Sequence, residues 1–494
     1  MKRIVNELGK LSWGKRVYAV VVLCATTAIA LPAQTFTTLH SFDGTDGDQP
    51  WAGLVQASNG DLYGTTVAGG ANGGGTVFKI APNGTETTLY SLCAQGYPNC
   101  PDGYEPYAGL VQATNGELYG TTTYGGSRTN YPCDFFHGCG TVFKITPSGT
   151  LTTLYSFCSQ NECPDVLTTL YDFCAQAGCQ DGESPWAGLV QATNRDLYGT
   201  TGGGGASGPG TVFKIVPGGT LMTLHSFDSE DGASPLAALV QAPNADLYGT
   251  TYLGGAHGGG TVFEITPSGA LSTLYNFCAQ TGCTDGKYPS AGLVQAASGD
   301  FYGTTQEGGA NGAGTVFKIT PSGTLMTLHS FCALGLPCTD GQTPSAGLIQ
   351  ATNGDFYGTT FGGGTNGSYG TIFKITPRGA LTTLYSFCSQ SRCADGANPQ
   401  MGLVQATDGD FYGTTFAGGA GSGTVFSLSV GLSPFVKTLP TSGEVGAAVR
   451  ILGSDLTGAT SVSFNDTEVR SRSFRLPKSR PPYRPGLPPE RSAW

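Results

Sequence analysis

Short hydrophobic runs recur along most of the chain, and residues that favour tight turns separate them. One unit runs from Gly-Leu-Val-Gln-Ala through Leu-Tyr-Gly-Thr-Thr and Gly-Thr-Val-Phe-Lys-Ile to Leu-Thr-Thr-Leu-Tyr-Ser-Phe, with small variations. Short runs rich in β-branched and aromatic residues, bounded by Gly, Pro and Asn, are typical of β-strands. Each unit therefore predicts four strands, and Asn-Gly and Pro-Ser-Gly sequences predict hairpin turns within it.

The unit occurs seven times. The tyrosine of its second run marks each copy, at Tyr63, Tyr119, Tyr198, Tyr248, Tyr302, Tyr357 and Tyr412. Repetition at a fixed period is the signature of solenoids, propellers and arrays. Four antiparallel strands in about 55 residues make one propeller blade. The sequence therefore predicts an all-β protein, with a seven-bladed β-propeller over residues 35–430.

The two ends of this region predict a closed ring. A lone fourth-strand segment, Thr37–Phe42, precedes the first unit, and the seventh unit stops after its third strand. We expect the N-terminal strand to complete the last blade, because this removes an open sheet edge. One fourth strand is surplus, since Leu151–Phe157 is repeated as Leu167–Phe173. One copy is expected to loop out or to pair at the edge of its blade.

The paired Gly-Leu-Val-Gln and Tyr-Gly-Thr-Thr signatures resemble those of the GloVer repeat proteins, a bacterial tandem-repeat family. The resemblance covers residues 35–430 and implies export and surface display, but it carries over no catalytic residue. Residues 431–468 resemble the first half of an IPT/TIG immunoglobulin-like domain, although only three of about seven strands fit. Residues 469–494 are rich in Pro and Arg and lack strand periodicity. They are either a frameshifted or truncated reading frame, or a disordered basic tail that binds acidic surface polymers.

The N-terminus and the distribution of charge bear on location and partners. Residues 1–33 combine five basic residues, an apolar run and small residues, which predicts a signal peptide. The whole chain carries a net charge of −10. Both ends are basic, so the body between them carries about −20, which disfavours nucleic acid and anionic membranes. We expect a secreted or cell-surface monomer with no stable membrane span after signal cleavage.

Fourteen of the fifteen cysteines form close pairs in the sequence. Two repeats that lack a cysteine after the fourth strand lack both members of the pair, as a disulfide predicts. A zinc site is disfavoured because no histidine has suitable spacing. The predicted disulfides are Cys93–Cys100, Cys133–Cys139, Cys158–Cys163, Cys174–Cys179, Cys278–Cys283, Cys332–Cys338 and Cys388–Cys393.

Most polar residues that recur between repeats are predicted to be structural. Asp-Gly-x-x-Pro occurs in all seven units, and a turn in which Asp caps the backbone is favoured over a ring of calcium ligands. His40, His225 and His329 stand where other repeats have Tyr, so we expect a structural role for them. The sequence predicts no catalytic residue, metal or cofactor.

Aromatic residues break the symmetry of the repeats. The residue after the inter-blade proline is Trp51, Tyr107 or Trp186 in the first three blades, but Leu, Ser or Gln in the others. These positions lie near the predicted channel mouth, on the face that carries the long variable loops. Aromatic surfaces with few charges suit sugar rings or apolar peptides, although the rings could equally cap the blade packing. Further aromatic residues on the same side are Tyr104, Tyr124, Phe135 and Phe136.

The predicted function is an exported, non-catalytic binding module that recognises an extracellular glycan or protein through its long-loop face. One alternative is a propeller-type lactonase, lyase or glycosidase acting on extracellular carbohydrate. Such an enzyme requires convergent carboxylates or histidines near the channel mouth. The other alternative is a purely structural repeat protein.

Overall fold

The computed structural model describes residues 34–81, 83–96, 100–113, 116–125, 141–156, 180–194, 196–216, 220–439, 450–453, 462–464 and 467–469. The predicted signal peptide, the second copy of the duplicated strand and the basic tail after residue 469 lie outside these residues. Within them, no helix has the length and apolar character needed to cross a membrane.

Seven four-stranded sheets form the blades of a β-propeller, as the sequence predicts. Blade 1 comprises β2 (Val55–Gln56), β3 (Leu62–Thr66), β4 (Thr76–Ile80) and β5 (Glu86–Ser91). Blade 2 comprises β6 (Val111–Gln112), β7 (Leu118–Thr122), β8 (Thr141–Ile145) and β9 (Leu151–Ser156). Blade 3 comprises β10 (Val190–Gln191), β11 (Leu197–Thr201), β12 (Thr211–Ile215) and β13 (Leu221–Ser226). Blade 4 comprises β14 (Val240–Gln241), β15 (Leu247–Thr251), β16 (Thr261–Ile265) and β17 (Leu271–Asn276).

The remaining blades repeat this order. Blade 5 comprises β18 (Val294–Gln295), β19 (Phe301–Thr305), β20 (Thr315–Ile319) and β21 (Leu325–Ser330). Blade 6 comprises β22 (Ile349–Gln350), β23 (Phe356–Thr360), β24 (Thr371–Ile375) and β25 (Leu381–Ser386). Blade 7 comprises β26 (Val404–Gln405), β27 (Phe411–Thr415), β28 (Thr424–Ser429) and the N-terminal β1 (Thr35–Ser41). Two 3₁₀ turns, Thr281–Cys283 and Ser391–Cys393, lie in the loops after β17 and β25.

The ring closes through the N-terminal strand. β1 pairs antiparallel with β28, from Thr35 opposite Ser429 to Ser41 opposite Thr424. This confirms the closure predicted from the lone strand segment. The first copy of the duplicated segment, β9, occupies the fourth-strand position of blade 2.

Hydrophobic residues of neighbouring blades pack face to face. Tyr63 and Val77 of blade 1, for example, share a buried cluster with Leu118 and Phe143 of blade 2. The glycine of Tyr-Gly-Thr-Thr makes room for the phenylalanine of the next strand. A Cβ at Gly64 would lie 2.6 Å from the Phe78 ring, and the same crowding recurs in every blade. The repeated motif therefore encodes the core that joins the blades.

Buried hydroxyls also join the blades. The Thr250 hydroxyl of blade 4 donates to the carbonyl of Ala291 in blade 5 at 3.1 Å. The Thr414 hydroxyl of blade 7 makes the same bond to Ala52 of blade 1 at 3.3 Å, across the point of ring closure. Because buried polar groups are costly unless hydrogen-bonded, these bonds account for the recurring threonines.

The inter-blade loops are held by disulfides and by the aspartate of Asp-Gly-x-x-Pro. The described residues contain four of the predicted disulfides: Cys93–Cys100, Cys278–Cys283, Cys332–Cys338 and Cys388–Cys393. The other three predicted pairs lie outside the described residues. The Asp285 carboxylate accepts the backbone N–H of Ala279 at 3.0 Å and the Tyr275 hydroxyl at 2.9 Å. His225 contacts the corresponding Asp231 at 2.6 Å, in keeping with its predicted structural role.

Two short hairpins follow the propeller. β29 (Val436–Leu439) pairs with β30 (Arg450–Gly453), and β31 (Val462–Phe464) pairs with β32 (Thr467–Val469). These are the only regular elements described after β28, and they form two separate two-stranded sheets. The IPT/TIG-like domain therefore stays a prediction.

Candidate binding site at the channel mouth

The mouth of the central channel is built from two loops of each blade. The loop that enters a blade and the loop between its second and third strands are bonded together, as Tyr104 N–H to the Tyr124 carbonyl at 2.9 Å shows. Both loops therefore lie on one face of the propeller. This is the face for which the sequence predicts ligand binding.

A ring of strained residues forms the rim. The residue before each inter-blade proline has a positive φ between 53° and 63°, although none is glycine. Such conformations cost about 1–3 kcal/mol each and persist only where surrounding contacts impose them. Here the Glu105 N–H donates to Gly74 of the preceding blade, and the Glu105 carbonyl accepts from Thr123, both at 3.1 Å. The seven residues are Gln49, Glu105, Ser184, Ser234, Tyr288, Thr343 and Asn398.

The innermost segments of neighbouring blades approach one another closely just inside this rim. A Cβ at Gly109 would lie 3.1 Å from the carbonyl oxygen of Gly53, and one at Gly402 would lie 2.9 Å from that of Gly347. The glycines of these Gly-Leu-Val-Gln motifs thus lie close to their counterparts in the neighbouring blades.

Four aromatic rings line one half of the mouth, and we call them the aromatic arc: Phe416, Trp51, Tyr107 and Trp186. The Trp51 ring lies edge-on to Phe416 at 5.3 Å between centroids and edge-on to Tyr107 at 5.4 Å. Tyr107 stacks on Trp186 at 5.2 Å with an interplanar angle of 24°. Trp186 is 38% exposed, so the arc presents an accessible indole at its end. The structure thus brings together the three aromatic residues that the sequence singles out.

A glycine in blade 3 leaves the space that Trp186 occupies. A Cβ at Gly202 would lie 3.3 Å from Cδ1 of Trp186 and 3.2 Å from Cδ2 of Leu236. The residue at this position follows Tyr-Gly-Thr-Thr, and no other repeat has glycine there. Gly202 therefore positions the exposed indole.

The other predicted aromatic residues have different placements. Tyr104 is 7% exposed and packs with Cys93, Cys100 and Tyr124, its ring centroid 5.5 Å from that of Tyr124. Tyr104 thus supports the disulfide loop and does not face the solvent. Tyr124 is half-buried. Phe135 and Phe136 lie outside the described residues.

One carboxylate lies beside the aromatic arc. Burial, followed by the nearby Glu105 carboxylate, raises the pKa of Tyr107 to about 12. The phenol is therefore neutral at physiological pH and can share a proton in a hydrogen bond. Of the seven residues before the inter-blade prolines, Glu105 alone is acidic, and none is histidine.

The opposite half of the mouth also holds rings, since Tyr252 packs on Tyr288 at 5.1 Å between centroids. Four of its residues are linked by hydrogen bonds, and we call them the polar arc: Tyr252, Gln306, Ser290 and Ser345. The Tyr252 hydroxyl donates to the Gln306 amide oxygen at 3.4 Å, and the Gln306 amide donates to the Ser290 hydroxyl at 2.9 Å. The Ser290 hydroxyl donates in turn to the carbonyl of Ser345 at 3.1 Å. The polar arc crosses from blade 4 to blade 6 and is held by its own hydrogen bonds.

Sequence reasoning missed Phe416, Gly202 and Glu105. All three were visible in principle, because they occupy repeat positions at which the seven units differ. The residue after the inter-blade proline is one of three positions near the mouth at which the repeats differ. Comparing the residue before that proline and the residue after Tyr-Gly-Thr-Thr in the same way would have found them.

Comparison with known protein families supports the repeat assignment. A family model of the Gloeobacter/Verrucomicrobia repeat matches residues 26–166, 162–298 and 298–452. No curated protein matches the chain. A candidate 6-phosphogluconolactonase from Bacteroides uniformis is 16% identical, with a TM-score of 0.42 over 68% of this chain and 84% of that one. The periplasmic gluconolactonase PpgL of Pseudomonas aeruginosa is 16% identical, with a TM-score of 0.41 over 79% of this chain and 99% of that one.

Proposed function

The chain belongs to the Gloeobacter/Verrucomicrobia repeat family, and we propose that it is an exported binding module that recognises an extracellular glycan at the aromatic arc. The repeated residues serve the scaffold in this molecule, as the shared cores and inter-blade hydrogen bonds illustrate. The residues that differ between repeats are therefore the candidates for ligand recognition.

The continuous aromatic arc is the observation that carries this proposal. Its rings form an uninterrupted series of contacts at centroid separations of 5.2–5.4 Å, ending on the exposed Trp186. The C–H faces of a sugar ring pack on aromatic faces, while hydroxyls need hydrogen-bonding partners around them. Glu105 supplies such a group beside Tyr107.

Two features support a binding module over an enzyme of the propeller type. Glu105 is the single carboxylate among the rim residues, and general acid–base catalysis of glycoside cleavage commonly uses two. The arc also occupies the place where such an enzyme would present catalytic groups. The disulfides support the export part of the proposal, because they persist in oxidising compartments.

The test is a pull-down of oxidised protein lacking residues 1–33 on a panel of insoluble and soluble polysaccharides. Trp51→Ala/Trp186→Ala is the test variant, and Tyr252→Ala/Gln306→Ala in the polar arc is the matched control. We expect at least one polysaccharide to retain the wild type and the control, but not the tryptophan variant. Circular dichroism checks that both variants remain folded.

Retention of the tryptophan variant equal to that of the wild type would overturn the assignment of the aromatic arc. The absence of binding by every protein would overturn the glycan proposal. Release of reducing sugar or of acid from a bound polysaccharide by the wild type would show instead that the module is an enzyme.

A further inference from the structure

We call the boundary between two neighbouring blades a seam. One seam carries a carboxylate at a position where the other seams have an apolar residue. In the regular arrangement, a His or Tyr near the end of the fourth strand contacts the aspartate of the next Asp-Gly-x-x-Pro loop, as His225 contacts Asp231. The residue of the next fourth strand that pairs with the last apolar residue of the third strand, here Leu271 opposite Ile265, is apolar in the other blades except blade 1. At the seam between blades 7 and 1, the corresponding residue is Glu86.

Glu86 turns a histidine–aspartate pair into a cluster of three ligand groups. Nε2 of His40 lies 2.8 Å from Oδ2 of Asp46. His40, Asp46 and Glu86 each offer one ligand atom, and these three atoms all lie within 4.8 Å of one another. No other such cluster occurs among the described residues. The carboxylate alone distinguishes this seam from those of His225–Asp231 and His329–Asp340.

The surrounding contacts hold these groups in place and leave them accessible. The Asp43 N–H donates to the second oxygen of Asp46 at 3.0 Å, which turns Oδ2 towards His40. The Thr88 hydroxyl donates to Glu86 at 3.1 Å. The side chains of His40 and Asp46 are 21% and 23% exposed, so water can complete a coordination shell. Orientation of ligands by outer hydrogen bonds is typical of protein metal sites.

The ligand chemistry favours a borderline transition metal. One imidazole, two carboxylates and an open position suit Zn²⁺, whereas Ca²⁺ and Mg²⁺ prefer oxygen ligands alone. Ligand atoms on a tetrahedral zinc ion lie roughly 3.3 Å apart, given bond lengths of about 2.0 Å. The His40–Asp46 separation is already close to this value, and a small movement of Glu86 completes the set.

We propose that His40, Asp46 and Glu86 form a zinc-binding site that fastens the N-terminal strand to blade 1. His40 belongs to β1, Asp46 to the loop that enters blade 1, and Glu86 to the outermost strand of that blade. A metal ion bound by all three residues connects β1 with the entry loop and the outermost strand of blade 1. Because only the folded ring assembles the ligands, zinc stabilises the folded protein, and the stabilisation rises with the logarithm of the zinc concentration once this exceeds Kd.

The experiment compares wild type, Glu86→Leu and Leu271→Glu after removal of metal with a chelator, with disulfides intact. Glu86→Leu restores the residue of other blades and is therefore compatible with the fold. Leu271→Glu builds the same constellation beside His225 and Asp231. Isothermal titration with Zn²⁺ gives the number of sites, and thermal unfolding with and without Zn²⁺ gives the stabilisation.

We expect one more zinc site in the wild type than in Glu86→Leu, and a zinc-dependent rise in Tm that Glu86→Leu loses. Leu271→Glu, if it folds, gains a site relative to the wild type. Equal zinc stoichiometry and equal Tm shifts in the wild type and Glu86→Leu would overturn the proposal. So would a preference for Ca²⁺ over Zn²⁺ at this site. None of these outcomes depends on glycan binding, because the seam is separate from the channel mouth.

Discussion

The two halves of the channel mouth share one backbone and differ in their side chains. Both have the same left-handed rim residue, the same inter-blade proline and the same backbone bonds between loops. In the aromatic arc these positions carry rings that contact one another, whereas in the polar arc they carry groups that hydrogen-bond among themselves. The residues that the repeats share therefore build the scaffold, and the residues at which the repeats differ determine which side chains a ligand meets at the mouth.

This difference has a physical consequence for binding. Rings at the mouth expose apolar area to water, and a ligand that covers them releases free energy through the hydrophobic effect. Polar groups that already satisfy one another gain little from a new partner, because they must first give up an existing bond. The aromatic arc is therefore expected to dominate affinity, and the polar arc to adjust specificity.

The largest expected effect is the loss of ligand affinity caused by Tyr107→Ala in the aromatic arc, compared with Tyr252→Ala in the polar arc. Tyr107 contacts both Trp51 and Trp186, so Tyr107→Ala removes one ring and leaves two without support. We expect a loss of affinity of about tenfold or more, in the range of a binding hot spot. Tyr252→Ala in the polar arc serves as the control and is expected to change affinity less than threefold, or about 0.6 kcal/mol. Affinity electrophoresis on the retained polysaccharide measures both, and equal losses would contradict the distinction between the arcs.

The sequence predicts the scaffold better than the site, for a physical reason. Strands, blade number and ring closure follow from local patterns, and the lone Thr37–Phe42 segment was enough to predict the pairing of β1 with β28. The contacts of Trp51 with Phe416 depend on which blades become neighbours when the ring closes. A comparison of Trp51 with its own repeat equivalents does not reveal that partner.

The cluster of His40, Asp46 and Glu86 between blades 7 and 1 is likewise not predictable from local sequence patterns. From the sequence, His40 has a predicted structural role and no metal site is predicted. Glu86 is far from His40 in sequence and appears as an ordinary substitution in a strand. The two residues become neighbours only because the N-terminal strand completes the last blade, next to the first.

A smaller effect is expected from filling the space beside Trp186. Gly202→Val introduces the residue that blade 1 carries at this position, and its Cβ would lie 3.3 Å from the indole. We expect Trp186 to move and affinity to fall severalfold, with little change in Tm because Gly202 has no left-handed φ to lose. Thr123→Val, the equivalent change in blade 2, is the control of similar size. An unchanged affinity in Gly202→Val would show that the position of Trp186 does not matter to the ligand.

The smallest effect at neutral pH is expected from Tyr107→Phe, which keeps the ring and removes the hydroxyl. Burial and the Glu105 carboxylate raise the pKa of Tyr107 to about 12, from an ordinary value of 10.0. The phenol is therefore neutral between pH 6 and pH 9, and affinity should stay within about twofold of the wild type over this range.

At alkaline pH, we expect the wild type and Tyr107→Phe to differ in thermal stability. A raised pKa in the folded state means that the stability contributed by the neutral phenol is complete below pH 10.0 and is lost as the pH rises through about 12. The wild type should therefore lose more Tm than Tyr107→Phe between these pH values, as followed by circular dichroism. Glu105→Gln removes the second cause of the raised pKa and should fall between them. Parallel Tm curves for all three proteins would mean that ionisation of Tyr107 does not weaken the aromatic arc, and that its ring alone carries the contribution to stability.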